Sequence, residues 1–208
     1  MRHKKIFLSI DFDFWNYDQD LFIDHVRYFI KYAEKKRIDV TAVTNHQQML
    51  RYVDASDARI LFNLDTHSDL VTKKVSIFDC GSWVSYVKWR RLGTYIWMHA
   101  GSLNDGDCSS FRGGDFFGHH DKKIDYTETD WRQLKRISVQ NELNQMSISR
   151  RLCGAMPYVS AISFCTSPGY TNHSLFKLGK NLLQFYNIPI LRGRLDEEFY
   201  GIDEKYPP

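Results

Sequence analysis

Arg59–Leu64 (RILFNL), running straight into Asp65-Thr66-His67-Ser68-Asp69, decides how the rest of the chain is read. The first part is short, apolar and nearly unbroken. A strand with one face in water would alternate polar and apolar residues, so this run predicts a strand covered on both faces, as in a parallel sheet. The second part sets three ligand-type side chains at alternate positions directly after the strand. In extended backbone, side chains two residues apart point the same way, so Asp65, His67 and Asp69 are set to converge.

The same grammar recurs on either side. Ile6–Ile10 (IFLSI) is an apolar run ended by Asp11-Phe12-Asp13, and Val40–Val43 is followed by Asn45-His46. Gly93–Met98 (GTYIWM) and Tyr158–Cys165 (YVSAISFC) predict further strands, the second stopped by Thr166-Ser167-Pro168-Gly169. Leu21, Phe22, Val26, Phe29, Ile30 and Ala33 recur at helical spacing, with Asp18 or Asp20 as the cap. Gln47–Val53, Ser82–Arg91 and Leu175–Tyr186 predict additional helices. Gly101–His120, crowded with Gly, Ser, Asp and Asn, predicts a long loop of the kind that is functional or mobile, and the tail after Arg192 is polar. Strands alternating with helices, without repeats or linker composition, predict one α/β domain over 1–208. Its mostly parallel sheet would be flanked by helices. Ligands of such sheets sit beyond the carboxyl ends of the strands, where all three acidic segments fall.

Composition narrows the function classes. The chain has 208 residues and a formal charge of +3, too small to argue for nucleic acid or an anionic membrane. The short basic cluster Lys88, Arg90, Arg91 reads as a solvated helix face. No apolar run reaches membrane-spanning length, and Ile6–Ile10 is too short for a secretory leader, so a cytoplasmic protein is expected. Cys80, Cys108, Cys153 and Cys165 show no Cys-x-x-Cys pair and are read as reduced thiols.

An Asp-x-Asp after a strand is commonly a pair of turn caps, and a lone histidine such as His46 is commonly structural. The coincidence of all three segments is what points to metal. Four aspartates brought together without a cation would repel and raise one another's pKa. Two divalent ions neutralise them formally, and His46 and His67 complete an oxygen and nitrogen donor set. Such a set suits Mn²⁺ better than structural zinc. Paired metals about 3.5–4 Å apart generate a water-derived nucleophile at neutral pH.

Asp65-Thr66-His67-Ser68-Asp69 resembles the Asp-Ala-His-x-Asp motif of the ureohydrolases, the arginase and agmatinase superfamily. Asn45-His46 is similar to their Asp-His element, and Ser9-Ile10-Asp11-Phe12-Asp13 to their Ser-Phe-Asp-x-Asp motif. The resemblance covers roughly the first 70 residues. Here the Asp-x-Asp strand comes first rather than late, so the motif order is permuted, and the chain is short. Both traits resemble the small peptide arginases, which convert arginine residues of a ribosomally made precursor peptide to ornithine and urea. The resemblance therefore implies an arginase-like metallohydrolase domain with two Mn²⁺ ions and an arginine-containing peptide as substrate.

It also implies roles. Asp65 and Asp11 would bridge both ions, His46 and Asp69 would complete one, and His67 and Asp13 the other. A hydroxide shared by the ions would attack the guanidinium carbon, with Asp69 orienting it by a hydrogen bond. Family members add a proton-shuttling histidine, for which His99 is the first candidate and His119 or His120 the second. They also add a carboxylate that grips the guanidinium, for which Asp79 and Asp115 are candidates. Arginases recognise the free amino acid through a polar loop. Trp83 and neighbouring aromatics stand there instead, which suits a substrate already in peptide linkage.

Three alternatives stay open at this point. A haloacid dehalogenase-type phosphatase would use Asp11 as nucleophile and Asp13 as general acid with Mg²⁺, but leaves His46 and the Asp65–Asp69 motif without a role. A mononuclear zinc deacylase needs fewer ligands than are present. A metal-stabilised protein that only binds a peptide would account for the unassigned shuttle.

Overall fold

The computed structural model describes residues 5–15, 18–67, 69, 83–87, 93–99, 133–138 and 152–191. The strands are β1 (Ile6–Asp11), β2 (Asp39–Val43), β3 (Ile60–Leu64), β4 (Thr94–His99), β5 (Gln133–Ser138), β6 (Val159–Cys165) and β7 (Ile190–Leu191). They form one sheet in the order β5-β4-β3-β1-β6-β2-β7, and every pairing is parallel. Among the described residues the helices are α1 (Gln19–Lys36), α2 (Leu50–Ala55) and α3 (His173–Phe185), and residues 152–155 are helical as well. The α/β class with a parallel sheet and flanking helices, expected from the apolar runs, is what the chain forms.

β1 shows why its sequence reads as it does: all six residues are buried, because both faces of the sheet are covered. Ile6, Leu8 and Ile10 face a core shared with Phe22, Val26 and Phe29 of α1 and Leu175, Leu182 and Leu183 of α3. Phe7 faces the opposite core, with Val53 of α2, Leu61, Trp83 and Trp97. α1 begins where Asp18 caps it, the carboxylate accepting from the Leu21 N–H at 2.9 Å.

Topology places the site. The chain leaves β1 toward the β6–β2–β7 side, returns to β3 on the other flank of β1, and leaves β3 toward β4. The connections after β1 and β3 thus diverge, opening a crevice at the carboxyl ends of these two adjacent strands. Asp11 ends β1, and Asp65 follows β3.

Two strands were not expected from sequence. β5 and β7 are the two sheet edges, one with Lys135 and Arg136 in it, the other two residues long. Of the helix expected over Ser82–Arg91, the described part is a 3-10 turn, Trp83–Tyr86. That over Gln47–Val53 is split into a 3-10 turn, His46–Met49, and α2. The expected Gly101–His120 loop and the tail after Arg192 lie outside the described residues. Among the described residues no helix is long and apolar enough to cross a membrane.

Candidate metal centre

The six residues singled out in sequence meet at the crevice. Asp11 arrives on β1 and Asp13 on the 3-10 turn Phe12–Trp15 that follows it. The ring of Phe12 between them is seated against α3 at Gly179, where an added Cβ would collide with the ring. His46 opens its 3-10 turn after β2, with the Asn45 side chain capping the turn at the Gln47 N–H. Asp65, His67 and Asp69 follow β3, and Asp69 holds a φ of 51°. A left-handed backbone is uncommon outside glycine, although aspartate tolerates it better than most.

The distances describe one cluster. His46 Nδ1 lies 2.7 Å from Asp69 Oδ2 and 3.2 Å from both Asp11 Oδ2 and Asp65 Oδ2. His67 Nδ1 lies 3.3 Å from Asp13 Oδ2 and 3.8 Å from Asp65 Oδ1. These side chains offer two donor groups close enough to hold a cation, Asp13–Asp65–His67 and His46–Asp65–Asp69, with Asp65 common to both. Asp11 and His46 form a third with Cys165. The buried Asp/His clusters could hold a metal ion.

Electrostatics say how incomplete the cluster is without a cation. Burial, then the charge of Asp13, pushes the Asp11 carboxyl up to about 7. Burial and the charges of Asp69, Asp13 and Asp11 push Asp65 well above the usual carboxylate range. Burial works against a charged His67, yet the hydrogen bond and charge of Asp13 reverse this and lift it to about 9. His46 is likewise penalised by burial and raised on balance by Asp11 and Asp69. Asp13, also buried, is carried below its ordinary value by His67. Protons therefore stand where a cation would otherwise balance the charge, and a metal binding here would displace them. Among the described residues the buried Nε2 of His46 has no hydrogen-bond partner. Oxygen and nitrogen donors around a buried charge deficit fit divalent cations.

Sequence reasoning missed the residues that hold the ligands. Ser167 donates to Asp11 Oδ2 at 2.5 Å from the turn after β6, at a φ of 38°. Asn63 donates to Asp65 Oδ2 at 3.1 Å, and the Trp97 indole to the Asp65 carbonyl at 2.9 Å. The Thr66 amide donates to Asp13 Oδ1 at 3.2 Å. Trp83, which stands where arginases carry a polar recognition loop, is fully buried, and its indole N–H donates to Asp69 Oδ2 at 2.6 Å. Cys165, ending β6, was read only as a reduced thiol. It stands 3.1 Å from the Ser167 hydroxyl, and burial with the nearby Asp11 charge pushes its thiol well up. A thiol so held is a poor nucleophile.

His99, the first shuttle candidate, ends β4 one position beyond the Leu64–Met98 pair and is buried, stacked 4.6 Å from Trp97. His119, His120, Asp79 and Asp115 lie outside the described residues. No protein-family model, curated protein or solved structure matches the chain.

Proposed function

We propose that the chain is a two-cation hydrolase of the ureohydrolase type. It would cleave the guanidinium group of arginine residues in a peptide to give ornithine and urea. The observation that carries this is the sharing of Asp65. One carboxylate turns Oδ2 toward His46 and Oδ1 toward His67, so that two donor groups meet on it. A single-ion site would not need such an arrangement. The partition, with Asp69 beside His46 and Asp13 beside His67, supports the roles implied by the ureohydrolase motifs. The arginase-like character of the fold, with its permuted motif order, belongs to the same proposal.

Bound here, two divalent cations would supply Lewis acidity and a water of lowered pKa, and the donor set favours Mn²⁺. The chain's own residues do the rest. Asp69, fixed by the Trp83 indole, keeps a carboxylate oxygen at the centre and orients the attacking water by a hydrogen bond. Asp11 and Asp65, held by Ser167 and Asn63, set the spacing. His99 carries the proton to the departing amine. Water adds to the guanidinium carbon, the bond to the side-chain nitrogen breaks, and that nitrogen leaves with the proton.

A phosphatase reading has less support. A phosphatase using Asp11 as nucleophile leaves His46, Asp65 and Asp69, which converge on the same cluster, without a role.

The test is incubation of the Mn²⁺-loaded protein with arginine and with an arginine-containing peptide, reading urea and peptide mass. Urea with the matching mass loss at arginine is expected from the peptide. Turnover of free arginine alone would overturn the peptide preference. No urea from either, in protein holding two ions, would overturn the hydrolase.

A further inference from the structure

The six candidate ligands are not equally enclosed. The side chains of Asp11, Asp13, His46, Asp65 and Asp69 are at most 4% exposed, whereas that of His67 is 19% exposed. The cluster therefore meets solvent on the His67 side. The ring of Tyr170 lies there, its centroid 5.6 Å from that of His67 in an edge-to-face arrangement, and Tyr170 itself is 53% exposed. A large aromatic that is half in water and leaning on a ligand of a buried acidic cluster stands at the way in.

Its support is rigid. The turn from Thr166 to Thr171 is pinned to the end of β2 by the Thr166 amide on the Val43 carbonyl and the Ser167 amide on the Thr44 carbonyl. It is closed on itself by the Tyr170 and Thr171 amides on the Ser167 carbonyl and by the Thr171 hydroxyl on the Thr166 carbonyl. Thr166, Ser167 and Thr171 are buried, and Ser167 is bonded to Asp11. The backbone that carries the exposed ring is thus tied to the strand that brings Asp11 to the cluster, as a binding wall requires.

We infer that Tyr170 is a specificity-determining residue, its ring forming one wall of the entrance and lying against the cationic side chain of the substrate as it reaches the metals. This rests on the function proposed above and adds the chemistry of recognition. The face of a phenol ring attracts a planar guanidinium, with a contribution that is modest at exposed sites and larger where water is displaced. A neutral group of the same shape gains much less. Tyr170 would therefore select for charge, while the buried carboxylates and metals act on the group delivered.

The experiment compares wild type, Tyr170→Ala and Tyr170→Phe, all Mn²⁺-loaded and with metal content measured, on a blocked arginine peptide and its citrulline counterpart. Affinity for each peptide is read by calorimetry, as competition against urea release where the arginine peptide turns over. Tyr170→Ala is expected to weaken arginine-peptide affinity about three- to tenfold, with metal content near wild type. Citrulline-peptide affinity should change by less than about twofold, and Tyr170→Phe should behave as wild type. Equal losses for both peptides, an unchanged arginine affinity, or loss of metal from Tyr170→Ala would each overturn the inference. If wild type releases no urea, the hydrolase reading falls by itself. The arginine peptide then stays intact, and direct titration still decides the role of Tyr170.

Discussion

His25 and His46 are both buried, 5% and 2% exposed, yet their surroundings drive them in opposite directions. His25 sits on α1 in the apolar core, where Nδ1 accepts the Trp15 indole N–H at 3.2 Å. Burial pushes it down to about 4, against a weak opposing pull from Asp24 and Asp18. An acceptor nitrogen cannot also carry a proton, so the geometry and the burial agree on a neutral ring. His46 suffers the same burial and is raised on balance, because Asp11 and Asp69 lie within 3.2 Å of one nitrogen and Asp13 adds its charge. Burial alone makes a core histidine. Convergent carboxylates at the ends of β1 and β3 make a charge that needs a cation.

The largest expected break in this contrast comes from Asp65→Ala, which removes the carboxylate common to both donor groups. Urea release should fall by at least about a thousandfold, since losing a shared ligand disturbs both ions. Metal content should drop below two per chain. Kinetic assay with elemental analysis checks both, and full activity would refute the site.

His25 gives the next largest effect, and its sign is opposite to that of a salt-bridged histidine. The unfolded chain binds a proton near pH 6.5, and the folded chain only near 4. The neutral ring's contribution is complete above pH 6.5 and is lost as pH falls toward 4. At pH 4.5 the loss should be roughly 2–3 kcal/mol relative to pH 7.5. Denaturant unfolding of metal-free wild type and His25→Leu at both pH values isolates it, since the metal cluster titrates alike in both proteins. Parallel profiles would show that His25 does not stay neutral.

Trp83→Phe sharpens the His46 side with a smaller change. It keeps most of the buried ring and removes only the indole N–H that holds Asp69. Mn²⁺ affinity should weaken by about tenfold, the lower end for loss of a ligand's supporting hydrogen bond. Calorimetric titration checks this, and unchanged affinity would make Trp83 a packing residue only.

The legible part of the molecule was the part whose function lies along the chain. Ile6–Ile10 and Arg59–Leu64 are apolar because both their faces are covered, and the ligands follow them at once, so strand and site are read together. β5 and β7 were illegible for the same physical reason inverted. Edge strands are paired on one side only, and neither its polar composition nor its length of two residues produces an apolar run. The supporting residues escaped because they reach their partners through space. Ser167 is 156 positions from Asp11, and the Trp83 indole reaches Asp69 from 14 positions further along the chain. Aromatic content could have prompted Trp83, but no local pattern marks Ser167.

The most direct measurement is a calorimetric titration of metal-free protein with Mn²⁺. The shared position of Asp65 predicts two ions per chain, with protons released as the raised carboxyls and imidazoles surrender them. Binding of one ion only, or of none, would contradict the two-cation centre on which the proposed hydrolysis depends.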